Sequence, residues 1–114
     1  MTYSHTDNLY CDGYHFFFQG WILHLGIPSW KFQKKIILTS KNNTIQIIPD
    51  LELRPDVSKA FIDPSLNTFI NYDHSGFILK VLKQNLPNDY FNIKLEIKSN
   101  DLTDSVVLKQ MIYI

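Results

Sequence analysis

Four histidines, one cysteine and scattered carboxylates are the side chains with which this 114-residue chain could do acid–base, nucleophilic or metal chemistry. His15 and His24 are nine positions apart, so along one regular strand they face opposite sides. His5 and His74 are the other two. A metal centre needs three or four convergent ligands with oriented groups behind them. The spacing supplies none, so no metal and no cofactor are expected. Cys11 and His15 could form a thiol–imidazole pair, yet nothing nearby in sequence would depress the thiol, and a lone cysteine reads as inert. His74-Ser75-Gly76 is the nearest approach to a serine nucleophile. Without a Gly-x-Ser-x-Gly elbow it reads as turn chemistry. Asp50 and Glu52 could share a strand face, and beside a strand break they read as surface charges. The four glycines are scattered and build no phosphate loop. No catalytic residue is assigned, and a small enzyme with a His/Asp site is kept only as an alternative.

Binding is better served. Trp21, Trp30, Tyr3, Tyr10, Tyr14, Tyr72 and Tyr90 are amphipathic rings of the kind that stack on sugars. Trp21, inside an apolar run, reads as core. Trp30 follows Pro28-Ser29 in a loop and is the better exposed platform, with Tyr72 as a second ligand-facing candidate. Arg54, in Arg54-Pro55-Asp56-Val57, is the only arginine in a chain that otherwise uses lysine. A guanidinium forks a carboxylate in a geometry that lysine cannot copy. Its structural role would be a salt bridge to Asp56, or to Asp89 across the sheet. Its functional role would be a contact to an anion or a sugar acid.

Composition narrows the setting. Hydrophobic residues make up 45% of the chain and aromatics 14%, enough for a packed core. At 13.4 kDa, area scaling predicts roughly 6,500 Å² of folded surface and one domain over residues 1–114. Eleven basic and eleven acidic residues give zero formal charge, which argues against nucleic acid as a partner. One cysteine forbids an internal disulfide. No apolar run approaches the roughly 20 residues that span a bilayer, so no membrane insertion is expected. A reducing, cytoplasmic setting follows, with the inner membrane face reached only through a partner.

The elements that must position these residues are strands. Residues 1–13 are polar and read as a lead-in segment. Tyr14 to Leu25 is aromatic and β-branched, with Gly20 allowing a bulge or a close backbone approach. Lys34 to Lys41 and Thr44 to Ile48 follow, joined by Asn42-Asn43 as a two-residue turn using the tolerance of Asn for positive φ. Pro49-Asp50 interrupts, and the strand resumes beyond it. Asp56 to Phe61 has helical spacing, ended by Asp63-Pro64-Ser65. Phe77 to Leu82 alternates. In Tyr90 to Ser99, Phe91, Ile93, Leu95 and Ile97 take one face and Asn92, Lys94, Glu96 and Lys98 the other. Ser105 to Ile114 closes the chain. Six to eight short strands without a long helical period predict an all-β, antiparallel two-sheet sandwich, immunoglobulin-like or jelly-roll-like. Edge strands of such a sandwich allow a dimer.

Gly20-Trp21, Arg54-Pro55-Asp56-Val57, Gly76-Phe77 and Asp89-Tyr90, in this order, resemble the small β-sandwich accessory domains of bacterial cell-surface polysaccharide enzymes. Those include glycosyltransferases and the glycerophosphotransferases of teichoic-acid synthesis. The resemblance covers about Tyr14 to Ile114. It implies a non-catalytic accessory or interaction module that binds glycan or docks on a glycosyltransferase domain, with catalysis elsewhere. Trp21, Arg54, Asp56, Asp89 and Tyr90 would then be fold-defining positions. A free-standing carbohydrate-binding protein is the alternative.

Overall fold

A computed structural model describes residues 1–62 and 69–114. Eight strands form two four-stranded antiparallel sheets. They are β1 (Thr2–Cys11), β2 (His15–His24), β3 (Gln33–Thr39), β4 (Thr44–Ile47), β5 (Asp50–Glu52), β6 (Gly76–Leu82), β7 (Tyr90–Lys98) and β8 (Thr103–Tyr113). One short helix, α1 (Pro55–Ala60), lies between β5 and β6. The breaker Asp63-Pro64-Ser65 lies outside the described residues.

One sheet runs β1-β2-β6-β5 and the other β4-β3-β7-β8. This is the immunoglobulin-like order: an A-B-E-D sheet facing a C-F-G sheet, here widened by one strand beside C. The topology therefore selects that arrangement over a jelly roll. Strands β4 and β5 lie in opposite sheets, antiparallel to β3 and to β6 respectively. Between them Ile48-Pro49 carries the chain from one sheet to the other. Proline fits there because neither ladder needs its missing N–H.

Alternation explains the core. Phe16, Phe18 and Ile22 of β2 and Phe77 and Leu79 of β6 meet Ile36 and Leu38 of β3 and Phe91, Ile93, Leu95 and Ile97 of β7. Strands β2 and β7, the B and F positions that an antibody domain joins by a disulfide, each carry buried phenylalanine here: Phe16 and Phe18 on one, Phe91 on the other. Phe18 and Phe77 meet edge-on, with centroids 4.9 Å apart. A second cluster forms on the outer face of β2, where the long β5–β6 connection folds back. There Leu23, Val57 and Tyr72 are buried, and Trp21, Phe61 and Ile70 pack against them.

Two sequence expectations change. The polar segment expected as a lead-in is the ten-residue edge strand β1, paired along most of β2. Its alternation is faint in the sequence because its half-buried inward residues include the small, polar Thr2, Ser4 and Thr6, while Tyr3 and Tyr10 lie on the exposed face. The β3–β4 turn is four residues, Ser40 to Asn43, and no non-glycine residue described has positive φ. Ser40 Oγ accepts from the Asn42 and Asn43 N–H groups, closing the turn without the left-handed region. The accessible surface is 7040 Å², above the scaling value, in keeping with an elongated shape of 50 × 26 × 21 Å.

Candidate functional site

Strand direction gathers three connections at one end of the sandwich: β2–β3, β5–β6 and β7–β8. In an immunoglobulin-like sandwich the loops cluster at the two ends, where they are free to vary over a fixed frame. The β5–β6 connection, 53–75, is far longer than a sandwich turn requires, and long loops are commonly functional.

Trp30 sits in the β2–β3 connection, in a single 3-10 turn over Ser29–Lys31. Pro28 precedes the turn with φ −55°. The Ser29 N–H donates to the Asn71 carbonyl at 3.1 Å, which ties this loop to the β5–β6 connection. Ser29 is buried, and Trp30 is thrown outward with 60% of its surface exposed. An exposed tryptophan on an anchored turn is unusual, because large aromatics are highly buried on average.

The indole borders two clefts. The larger, about 530 Å³, lies between the β2–β3 and β7–β8 connections and is lined by Ile27, Lys31, Ser99, Asn100, Asp101 and Leu102. Its volume falls in the range of small-ligand sites. Ser99 Oγ accepts the Asp101 and Leu102 N–H groups, which fixes the turn while Asn100 and Asp101 stay exposed. The Lys31 ammonium lies 5.6 Å from the Trp30 ring centroid.

The smaller cleft, about 230 Å³, lies where the sheets part beside the β4–β5 crossing. Lys34, Ile48, Asp50, Leu51 and His74 line it with Trp30. Lys34 Nζ donates to the His74 carbonyl. Burial pushes the Lys34 amine down to about 8. Three buried side-chain atoms lack hydrogen-bond partners among the described residues: Ser29 Oγ, His74 Nδ1 and Ser75 Oγ. All three belong to this end of the molecule, and buried polar groups left unpaired elsewhere in proteins are rare.

Of the residues singled out from sequence, Trp30 alone stands at this site as an exposed platform. Tyr72 is corrected: only 2% of it is exposed, and its hydroxyl accepts the Gly26 N–H at 2.8 Å. The long connection covers it, so it offers no ring to a ligand. Arg54 is half-buried and engaged. It forks Asp56 through Nε and Nη2 at 3.0 and 2.9 Å and donates to Asp7 on β1. Hydrogen bonding to Asp56, then to Asp7, raises the guanidinium above its ordinary value. Asp89 lies at the far end, where its backbone pairs with Ile114, so the Arg54–Asp89 pairing does not form. Hydrogen bonds from Ser40, then Tyr90, hold its carboxyl low. Tyr90 is 62% exposed and packs on Tyr113 with centroids 4.6 Å apart. It stands at the start of β7, on the exposed face. Trp21 is half-buried, edge-on to Phe61.

The candidate catalytic groups stay apart. Cys11 Sγ donates to the Asp12 carbonyl instead of meeting His15. His24 is held by Thr2 and the Met1 amine. Glu52 accepts from Gln19 Nε2 through both carboxylate oxygens. Among the described residues no three His, Cys, Asp or Glu side chains come together as a metal ligand set, and no helix is long and apolar enough to cross a membrane.

Sequence reading missed Lys34, Asn100 and Asp101. Lys34 has the look of a charged strand end. The signal lay in its parity with Phe32, Ile36 and Leu38, obscured because Ile36, Ile37 and Leu38 run together. No protein-family model, curated protein or solved structure matches the chain.

Proposed function

We propose that this chain is a non-catalytic carbohydrate-recognition module whose ligand stacks on Trp30 and is held by the loops beside it. The observation that carries the reading is one exposed indole, on an anchored turn, bordering two polar-lined clefts. An indole face matches the apolar face of a sugar ring, and Asn100 and Asp101 stand where hydroxyls would seek partners. The sequence resemblance adds the setting: an accessory role to an enzyme of bacterial cell-surface glycan synthesis, binding its glycan or docking on its transferase domain.

Screening against immobilised glycans, followed by calorimetric titration of the hits, tests it. Trp30→Ala is expected to weaken the best ligand at least about tenfold, a loss of about 1.4 kcal/mol, with an unchanged melting temperature. Binding that ignores Trp30→Ala removes the site, and silence across the screen removes the function.

A further inference from the structure

We propose that the smaller cleft receives the anionic group of an acidic sugar, a carboxylate or a phosphate ester, with Lys34 as its counter-charge. This rests on the reading of Trp30 as a sugar platform.

Phe32, just ahead of β3, and Lys34, Ile36 and Leu38 on it share one parity, and all but Lys34 are buried core residues. Lys34 stands opposite Ile97, which is 1% exposed. A cation in that position loses hydration, and proteins normally answer with a carboxylate. Here the ammonium meets only the His74 carbonyl, and no ion pair to it forms among the described residues. Asp50 lines the same cleft without reaching it. Arg54 shows the contrast: its charge is already answered by Asp56 and Asp7.

Among the described residues, the cleft therefore holds a half-buried cation with no counter-charge beside an exposed indole. At about 230 Å³ it is below the usual range for drug-sized ligands and suits a single ring or a terminal group. A ligand anion supplies the missing charge, and its ring meets Trp30. Three groups face Lys34 across the cleft or sheet: Asp50 on β5, His74 ahead of β6, and uncharged Ile97 on β7. Since burial already loosens the Lys34 proton, recognition of an anion fades in alkali as the amine discharges.

Glucuronate, glucose 6-phosphate, glucose and inorganic phosphate are titrated into the intact chain and followed by amide NMR shifts. Wild type, Lys34→Met, Lys34→Gln, Asp50→Asn and Trp30→Ala are compared at pH 7 and pH 9.5. Either acidic sugar is expected to bind at least tenfold tighter than glucose at pH 7. Which acidic sugar leads identifies the anion as carboxylate or phosphate. That preference should disappear in both Lys34 variants, survive Asp50→Asn, and shrink about tenfold at pH 9.5. Glucose binding as well as the acidic sugars, lost in Trp30→Ala but not in Lys34→Met, overturns the inference and leaves the sugar platform standing. Inorganic phosphate matching glucose 6-phosphate, with no effect of Trp30→Ala, overturns both. No binding by any probe also overturns the inference.

Discussion

Arg54 shows how a single side chain joins distant parts of this fold. Its guanidinium links the start of α1, through Asp56, to the edge strand β1, through Asp7. Replacement by lysine keeps the charge but loses the fork, because an ammonium cannot meet both oxygens of Asp56 in that geometry. Asp56 faces solvent, so screening limits the effect. Arg54→Lys is expected to cost about 1 kcal/mol, read from the denaturant midpoint. A midpoint that does not move would mean that β1 is held by its ladder alone. The sequence made Arg54 conspicuous by rarity, and proximity in sequence identified Asp56. Asp7 could not be found the same way, since it lies 47 positions away and its approach depends on how β1 pairs.

At the scale of elements, two glycines decide how closely the strands of the β1-β2-β6-β5 sheet approach. Gly20 lies opposite Thr6, next to the register shift at Asp7. A methyl group there would overlap the His5 carbonyl oxygen. At Gly76 it would overlap the Glu52 carbonyl and the Arg54 side chain. Both obstacles include backbone, which cannot rotate away as a side-chain tip can. Gly20→Ala and Gly76→Ala are each expected to destabilise by about 2–3 kcal/mol or more, in equilibrium unfolding followed by tryptophan fluorescence. A neutral result at Gly20 would show that the bulge opposite it can migrate. The close approach at Gly20 was legible because a glycine costs a strand stability, and in an aromatic one it marks where a neighbouring backbone comes near. Strand β7 was legible because its polar and apolar residues alternate without exception. The sheet switch was half legible: Pro49 announced a break, but only pairing shows that β5 joins the opposite sheet. Strand β1 was the least legible, since an edge strand whose inward positions hold Thr2, Ser4 and Thr6 has the composition of a loop.

The whole molecule carries a charge inside its loop-bearing end, and its stability should register it. Lys34 holds its proton less firmly folded, at about 8, than at its ordinary value of 10.5. Between those values the unfolded chain binds the extra proton, so stability rises with pH across that window, by a total on the order of 3 kcal/mol. Below pH 8 the full cost is present. Lys34→Met is thus expected to be more stable than wild type at pH 7 and to lack this rise up to pH 10. Urea titrations of the two proteins at several pH values give the difference directly, and parallel curves would refute the assignment. A residue that costs stability yet sits in a cleft fits the common trade between stability and function. The fold was readable from strand count and turn spacing, but the site was not. Its parts come from three loops and an inward lysine, and only the closing of the two sheets brings them together.

The terminal strands have a mechanical consequence. Strands β1 and β8 are both full-length edge strands, and each runs from the loop-bearing end toward the opposite one. Tension applied between Thr2 and Tyr113 would pull along the strands. The inter-strand hydrogen bonds of an antiparallel ladder lie across that direction, so each ladder would be loaded in shear, with its bonds sharing the force. Separation would require many to fail together instead of one after another, as in peeling. The same pairing that orders the two sheets also makes a stiff link along the molecule's 50 Å axis.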